Sequence, residues 1–574
     1  ALQFNTTADD NTAIGKGALT LNTTGAENTA VGSEALDANT TANSCTAVGY
    51  GALTSNTTAD SNTAVGRKAL NTNTTGLRNT ACGKNALFSN TTANHNSAFG
   101  SSALDENTTG SENTAIGYDT LGVNTTGSSN VAVGAHALNA NTTASNNTAV
   151  GEESLGANTT GTANVAIGYQ SLDTNTTGDN NTALGHRALD ANTTADNNTG
   201  VGAFALNSNT TGTQNTSVGV FALDHNTTGS NNTTIGHSSL GANTTGVSNT
   251  SMGSEALDAN TTGDFNTAIG RQALTNNTTA DNNTAVGRAA LSANTTGASL
   301  NAVGANALDA NTTGSFNNAF GQNCMGANTT GHRNTAMGQD SFQANTTGAR
   351  NTAVGNSALA FNTTADNNTA VGNNALVANT TGASSVAVGA FALQNTTTGS
   401  QCTALGDNAG VRNTTGGNNT YLGRIAGFST GQTGSNNTYI GYNAQGTTDS
   451  TSNEIILGDA NIAVIRCNQT SLTGLSDRRD KTEIVDIPVG LNFINKLKPV
   501  KFKWQTREGT SQDGKIRAGF IAQDLQEAQI GNEYLNLVYD ENPDKLNATQ
   551  GNLLPVLVKA VQELSAKVAV LEAA

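Results

Sequence analysis

The sequence predicts a mostly β protein: a 17-residue-repeat β-solenoid, a parallel β-roll expected to be trimeric, followed by a small α+β domain that ends in a coiled-coil helix. Three observations support this prediction. A glycine recurs every 17 residues from Gly15 to Gly423, giving 25 equally spaced copies. All four prolines and the only tryptophan lie after residue 487. Apolar residues in the stretch 553–574 alternate at spacings of three and four.

The repeat unit from Lys16 to Gly32 reads KGALTLNTTGAENTAVG. Each set of equivalent positions is named here as a row, after its residue in this unit. The Leu19 row is nearly always Leu, the Val31 row is always apolar, and the Thr29 row is mostly Thr. These are β-forming residue types, and positions two apart share one face of a strand. A fixed short period is typical of stacked coils, and we predict two short strands and two turns in each.

The rows also predict an inside and an outside for each coil. We expect the Leu19 and Val31 rows to form the core, so that Cys82, which stands in the Val31 row, is a core residue. The Ala18 and Ala30 rows, which hold small residues, are expected to form an exposed stripe. Several chains would pack together through that stripe, and ladders of Asn and Thr would join successive coils.

The formal charge is unevenly distributed along the chain. Residues 1–475 hold 13 of the 26 Lys and Arg and 28 of the 42 Asp and Glu, a net charge of −15, whereas residues 476–574 hold 13 and 14, a net charge of −1. An acidic surface of this kind repels nucleic acid and anionic membranes. The sequence also has no apolar run long enough to span a bilayer. We therefore expect no nucleic-acid partner and no membrane insertion.

Cysteine and histidine give no sign of a cofactor site. The five cysteines are Cys45, Cys82, Cys324, Cys402 and Cys467, and they occupy unrelated positions in the repeat or lie outside it. We expect free thiols, no metal and no cofactor. The histidines are scattered, and no aromatic cluster predicts a platform for sugars.

The Asn-Thr-Thr triplet in nearly every unit satisfies the N-glycosylation sequon. Glycans on successive coils, only ~4.8 Å apart, would collide, so the triplet is expected to form a turn and a ladder instead. Threonine ladders also suggest ice binding, which we keep as a minor alternative. Adjacent threonines in an extended chain point in different directions, which weighs against it.

The closing pentapeptides NTAVG and NTAIG resemble the NSVAIG-like motif in the heads of trimeric autotransporter adhesins. The resemblance covers most of residues 1–441. It implies a parallel β-roll in which three chains assemble, although the 17-residue unit is longer than is usual there. We therefore assign residues 1–441 to the solenoid, and residues 442–475, which include NEIILG and NIAVIRCN, to a β neck.

Residues 476–574 resemble the C-terminal intramolecular chaperone domain of phage tail fibres, tailspikes and endosialidases. Three blocks carry the resemblance, in order: SDRRDKTEIVDIPVGLNFINKLKPVKFKW, RAGFIAQDLQEA and LLPVLVKAVQELSAKVAVLEAA. It implies a domain that trimerises and then cuts itself off with a serine–lysine pair. The matching residues are Ser476 as nucleophile and Lys481 as base, with cleavage between Leu475 and Ser476. A serine hydroxyl needs such a base, and nearby Arg478 and Arg479 would favour a neutral lysine.

These features together predict a homotrimeric fibre for attachment to a host or other surface, located on a virion or at the cell exterior. Its receptor is expected to be a glycan, and its only enzymatic step a single self-cleavage without external substrate. The main alternative is a bacterial cell-surface adhesin built from the same modules. Because identical coils allow register slips at little cost, a trimer clamp formed by the C-terminal domain, residues 476–574 with their coiled coil at 553–574, would align the chains.

Overall fold

A computed structural model describes residues 1–428, 431–462, 478–503, 515–540 and 546–573. These residues form two compact units, Ala1–Asn367 and Asn368–Ala574. The first unit consists of solenoid coils. The second contains further coils of the same kind and a small α+β region that ends in a helix. The predicted fold class is confirmed as a mostly β chain with a 17-residue-repeat parallel β-solenoid, followed by a small α+β region that ends in a helix; the trimer and the coiled coil stay predictions.

Each coil of the first unit contributes one three-residue strand. Within this unit, successive strands pair in parallel, so that Thr29 lies opposite Thr46 and Val31 opposite Val48. The strands are β1 Thr12–Ile14, β2 Thr29–Val31, β3 Thr46–Val48, β4 Thr63–Val65, β5 Thr80–Cys82, β6 Ser97–Phe99, β7 Thr114–Ile116, β8 Val131–Val133, β9 Thr148–Val150, β10 Val165–Ile167, β11 Thr182–Leu184, β12 Thr199–Val201, β13 Thr216–Val218, β14 Thr233–Ile235, β15 Thr250–Met252, β16 Thr267–Ile269, β17 Thr284–Val286, β18 Asn301–Val303, β19 Asn318–Phe320, β20 Thr335–Met337 and β21 Thr352–Val354.

The second unit continues with the same kind of parallel strand. Its solenoid strands are β22 Thr369–Val371, β23 Val386–Val388, β24 Thr403–Leu405, β25 Thr420–Leu422, β26 Thr438–Ile440 and β27 Ile455–Leu457. One extra residue separates Gly423 from Gly441, yet β25 and β26 still pair in register. The turn between these strands therefore absorbs an insertion without disturbing the ladder.

The prediction of two strands per coil is wrong, because the apolar segment that begins each unit forms a turn. Leu19 has a φ of +49°, and the equivalent leucines have similar left-handed values. Leucine is strained in this region of φ and ψ. Complete burial of the side chain and a hydrogen bond from Leu19 N–H to Ala35 O, 3.0 Å, hold it there. A 17-residue coil closes through such tight turns rather than through a second strand.

The predicted inside and outside of the strand are also reversed. Alternation along Thr29–Val31 points Ala30 inward, where it is fully buried, and leaves Thr29 and Val31 on the outer face. Ala18 and Leu19 complete the apolar interior. Cys82, predicted as a core residue, is exposed because it belongs to the Val31 row. Where leucine fills the Leu19 row, the interior of so small a coil leaves room only for a small side chain at this position.

Two interior rows change together where tyrosine enters the interior. Where Tyr421 and Tyr439 replace the inward alanine, Gly410 and Gly427 replace the leucine. A β-carbon on Gly410 would lie 2.6 Å from the Tyr421 ring, and one on Gly427 would lie 2.4 Å from it. A tyrosine in the Ala30 row therefore requires glycine in the Leu19 row.

Two ladders of buried asparagine run through the coils, which confirms the predicted Asn ladders. In the Asn22 row, Asn243 Nδ2 donates to Asn226 Oδ1 at 2.8 Å and to Gly246 O at 3.0 Å. In the Asn28 row, the Asn249 N–H donates to Asn232 Oδ1 at 2.9 Å, and its Nδ2 donates to the carbonyl of the next coil. These amides donate to backbone carbonyls of the turns, which are thereby satisfied inside the coils.

The Asn-Thr-Thr triplet has the structural role that the sequence predicts. Its asparagine is buried in the Asn22 row and is inaccessible to a glycan. The first threonine donates to the carbonyl of the next coil, as in Thr244 Oγ1 to Thr261 O at 3.0 Å. The second threonine, Thr245, is exposed. The two threonines therefore point in different directions.

The Asn28 ladder is interrupted where another residue replaces asparagine. Cys45 is one such residue, and its Sγ lies 3.3 Å from Ala59 O, in the place of an asparagine amide. Burial raises the pKa of the Cys45 thiol to about 11. In the same coil Asn39 Oδ1 is buried without a hydrogen-bond partner. The thiol fills the space of an amide but only partly replaces its hydrogen bonds.

The α+β region contains short elements around one small core. Its helices are α1 Leu491–Ile494, α2 Ala522–Ala528 and α3 Leu554–Glu572, and its strands are β28 Val500–Lys503, β29 Ile516–Gly519, β30 Val538–Tyr539 and β31 Asn547–Ala548. Strands β28 and β29 pair antiparallel, as do β30 and β31. The core residues are Phe493, Leu525, Leu535, Leu537, Val538, Leu553 and Val556. Among the residues that the structure describes, no helix is both long and apolar enough to span a bilayer.

Candidate functional site

The predicted cleavage segment is only partly described. Leu475 and Ser476 lie outside the described residues, so the serine–lysine pair stays a prediction. Lys481 is exposed and directly follows a short 3-10 turn at Arg478–Asp480. Its N–H donates to Arg478 O at 3.3 Å. The turn therefore places the positive charges of Arg478 and Arg479 just before the predicted base.

Helix α3 uses its two faces differently. Val556 and Ala560 are buried against the core of the α+β region. The residues predicted as the seam of a coiled coil are all exposed: Leu554, Leu557, Val561, Leu564, Val568 and Leu571. Pro555 lies in the first turn, where its missing N–H costs no hydrogen bond. One face thus anchors the helix in its own domain, and an apolar seam is left for another surface.

A hydrogen bond fixes α3 against the start of α1. Glu563, in the middle of α3, accepts the Leu491 N–H at 2.8 Å. A β-carbon added to Gly490 would lie 2.6 Å from this carboxylate, so a larger residue there would displace the Glu563 side chain. The exposed seam of α3 is therefore held in a defined orientation relative to the domain core.

The outer face of the solenoid strands carries a continuous apolar row. Every residue of the Val31 row is exposed or half-exposed, and the row contains only apolar side chains. Its most exposed members are Ile14, Val65, Phe99, Ile116, Ile167, Leu184, Val218, Ile235, Met252, Ile269, Phe320, Met337, Leu405, Leu422, Ile440 and Leu457. The exposed stripe expected from the alanine rows is thus formed by the Val31 row instead.

The solenoid also assembles an aromatic cluster that the sequence analysis missed. Tyr169, His186, Phe204, Phe221 and His237 come from five consecutive coils, and each ring contacts the next. Three of them stand in the Lys16 row and two in the Gly17 row, so their spacing varies between 16 and 18 residues. An alignment of the units, rather than a search for neighbouring aromatic residues, would have found them. The expectation of no aromatic cluster is therefore wrong.

Thiols and potential metal ligands are dispersed over the described residues. Cys45, Cys82, Cys324 and Cys402 are free thiols, and Cys467 lies outside the described residues. Within the described ranges, no three His, Cys, Asp or Glu side chains form a group that could hold a metal ion. The apolar row, the α3 seam and the aromatic cluster remain as the surfaces that suggest function.

Comparison with known proteins supports the interpretation of the C-terminal region. Residues 476–534 match a family model described as the chaperone of endosialidase. Searches among curated proteins and among solved structures gave no match. The match contains Ser476 and Lys481 and lies C-terminal to the solenoid strands in the sequence. The solenoid and this match together fit an endosialidase-type fibre and support a fibre-type protein that assembles as a trimer.

Proposed function

We propose that the chain is a homotrimeric attachment fibre whose C-terminal domain aligns three chains and then cleaves itself off. The observation that carries this proposal is the Val31 row, an apolar stripe repeated on coil after coil. Exposed apolar patches larger than a few hundred Å² are rare on soluble monomers and mark interaction surfaces. A fibre of this kind acts on a virion or at the cell exterior, where it presents its coils to a receptor.

Other copies of the same chain are the partner that fits this stripe. In a parallel assembly with threefold symmetry, coil n of one chain lies beside coil n of the others. The Val31 rows then meet at every level, since all three repeat with the same rise of ~4.8 Å per coil. A partner with a different repeat would lose contact with the stripe after a few coils.

Such an assembly has a register problem. Chains displaced by one whole coil bury nearly the same surface, because the Val31 row is apolar in every coil. The C-terminal domain is not repetitive, so its trimer has only one alignment. The exposed seam of α3 supplies the matching surface for a three-stranded coiled coil. Trimerisation there fixes the register before the coils associate.

Self-cleavage then releases the clamp. The Ser476 hydroxyl attacks the Leu475 carbonyl carbon while Lys481 accepts the hydroxyl proton, and the peptide bond between the two residues breaks. The proton passes to the released amino group of Ser476, and water hydrolyses the resulting ester. Loss of the clamp leaves the assembled coils kinetically trapped.

Two experiments on the full chain test this function. Sedimentation equilibrium is expected to give a trimer, and Val218→Asp is expected to weaken it because it places a charge in the apolar interface. Thr228→Asp adds the same charge in the exposed Thr24 row and should leave the trimer intact. Wild-type protein that sediments as a monomer, or identical behaviour of both variants, would refute the proposed interface.

Intact-mass spectrometry tests the cleavage step separately. The wild-type chain is expected to yield a fragment that begins at Ser476, and Ser476→Ala and Lys481→Ala are expected to stay uncut. An uncut wild-type chain that is still trimeric would remove the self-cleavage and leave the domain as a permanent clamp. The same modules would then serve a bacterial cell-surface adhesin equally well.

One observation favours a second candidate function, ice binding. The Thr24 row is exposed in successive coils and forms a single regular line of threonines. A thermal hysteresis measurement on the purified chain decides this alternative. Absence of hysteresis at concentrations where the chain is fully folded would exclude it.

A further inference from the structure

The aromatic cluster forms a continuous ladder along five coils. The ring centroids of Tyr169 and His186 lie 5.5 Å apart, those of His186 and Phe204 5.0 Å, those of Phe204 and Phe221 5.2 Å, and those of Phe221 and His237 6.2 Å. Tyr169 is 43% exposed and Phe221 is 40% exposed. The ladder is therefore a surface feature and contributes little to the core.

Planar polar groups border the ladder. On one side Gln170 Nε2 donates to Glu153 Oε2 at 2.7 Å, and beyond the other end Gln272 Nε2 donates to Glu255 Oε2 at 2.8 Å. An Arg187–Asp190 ion pair, 2.7 Å, stands beside His186. Amide, carboxylate and guanidinium groups thus lie next to the ladder residues in the sequence or in the coils that flank the ladder, and together they supply hydrogen-bond donors and acceptors.

We propose that this ladder is a binding strip for a neutral oligosaccharide. The inference rests on the proposed attachment function and names the surface and the ligand class that serve it. Aromatic rings with partly exposed faces suit the apolar C–H faces of sugar rings, and planar polar side chains suit their hydroxyl groups. The net charge of −15 on residues 1–475 disfavours anionic glycans and nucleic acids.

The length of the ladder favours a chain of sugars over a single one. Its five coils are separated by four rises of ~4.8 Å, so the strip extends over roughly 19 Å. That distance accommodates several sugar residues laid along the coils. Each coil contributes a ring at a similar spacing, which matches a ligand that is itself a short linear repeat.

The restriction of the ladder to five coils argues against a second copy of the chain as its occupant. A subunit interface requires the same surface in every coil, and the Val31 row already meets that requirement. Elsewhere the Gly17 row holds mostly small or polar residues such as Ser102, Asn306 and Asn323, and Phe391 stands there as an isolated ring. A local feature on a repetitive scaffold points to a ligand of limited length.

The test uses the full chain and a panel of neutral linear oligosaccharides of glucose, galactose, mannose and N-acetylglucosamine, with sialyllactose as the anionic comparison. Saturation-transfer NMR identifies binders, and calorimetry gives their affinity.

The double variant Phe204→Ser/Phe221→Ser is expected to weaken binding at least tenfold. Serine is compatible with this row, as Ser102 and Ser238 show. Phe391→Ser removes a ring from the same row, between Asn374 and Asn408, and should leave affinity unchanged.

Several results would overturn the proposal. They are no binding by any neutral oligosaccharide of the panel, equal affinity of the double variant and wild type, or binding of sialyllactose alone. Dissociation of the trimer by the double variant would instead assign the ladder to the subunit interface. If the wild-type protein is a trimer but binds no sugar, the proposal of sugar binding by the ladder is refuted and the proposed fibre stands. If it is a monomer that binds sugar through the ladder, the proposed fibre is refuted and the binding strip stands.

Discussion

Replacing Asn243 with alanine tests whether the buried amide ladders hold successive coils together. The change removes three hydrogen bonds: those from Asn243 Nδ2 to Asn226 Oδ1 and to Gly246 O, and that from Asn260 Nδ2 to Asn243 Oδ1, at 2.8–3.0 Å. Asn260 Nδ2 keeps Gly263 O, and Gly246 O keeps an amide donor from Asn232. Only Asn226 Oδ1 loses its donor altogether.

The expected cost follows from this inventory. Three buried hydrogen bonds contribute about 0.5–1.5 kcal/mol each, and a buried acceptor without a donor adds about 1–3 kcal/mol. Some of these terms overlap, so we expect the coils around Asn243 to lose about 3–4 kcal/mol of stability. In a repeat array each coil contacts only its neighbours, so this loss of stability weakens the contacts between the coils around Asn243 and lets those coils open locally.

Hydrogen exchange measured by mass spectrometry detects such local opening. The Thr250 N–H, which donates to Asn266 O at 2.8 Å, reports on the affected coils. A loss of 3–4 kcal/mol corresponds to exchange roughly 10² to 10³ times faster, with no change in peptides from residues 60–130.

A threonine at the same position serves as the matched control. Thr396 occupies the Asn22 row naturally, and its Oγ1 accepts the Asn413 Nδ2 hydrogen bond at 3.2 Å. Asn243→Thr should therefore keep the acceptor for Asn260 and accelerate exchange less than alanine does. Exchange in Asn243→Ala that equals the wild type would show that the ladders do not stabilise the coils.

Three further predictions follow from single positions. Cys45→Asn restores an amide to the Asn28 ladder and should stabilise its coil by about 1 kcal/mol, measured as slower exchange around Ala59; unchanged or faster exchange would contradict this. Gly219→Ala should unfold the neighbouring coils, because Gly219 has a φ of +140°, at which alanine is strained. A β-carbon would lie close to a backbone oxygen at Gly212 as well, 2.2 Å against 2.4 Å at Gly219, but alanine occurs naturally in the Gly212 row, as at Ala195, where φ is not positive, so Gly212→Ala should be tolerated. Circular dichroism compares the two variants, and equal stability would refute the argument from φ. Burial, with repulsion from neighbouring carboxylates, raises the pKa of Asp173 from its unfolded value near 3.9 to about 6. Its contribution to stability is therefore present below about pH 4 and is lost as the pH rises to about 6. Asp173→Asn should flatten the plot of denaturation midpoint against pH over this range, and an unaltered plot would count against the raised pKa.

The sequence predicts the period, the parallel stacking, the asparagine ladders and the C-terminal helix, because each depends on a pattern that repeats or alternates. It misplaces the faces of the strand. Valine is more apolar than alanine, so hydropathy alone assigns Val31 to the core, whereas the narrow interior admits only Ala30. Steric size inside a closed coil therefore outweighs transfer free energy.

The candidate sites differ in how well the sequence alone predicts them. The seam of α3 follows from its spacing alone, and its residues are exposed as a coiled-coil interface requires. The Ser476–Lys481 pair depends on resemblance, since a serine five residues before a lysine has little meaning by itself. The aromatic ladder depends on which rows lie side by side, and rings at a spacing of 16 to 18 residues are neighbours only after the chain has coiled.

The equivalence of successive coils has a consequence for how the gene can evolve. Each coil offers its successor almost the same surface, so a gene segment that encodes whole units can be gained or lost by recombination while the reading frame and the stacking both persist. The number of coils is then free to vary among descendants, whereas the C-terminal region is not. The aromatic ladder can be copied, moved or erased by the same events, so that length and recognition diversify through one genetic process.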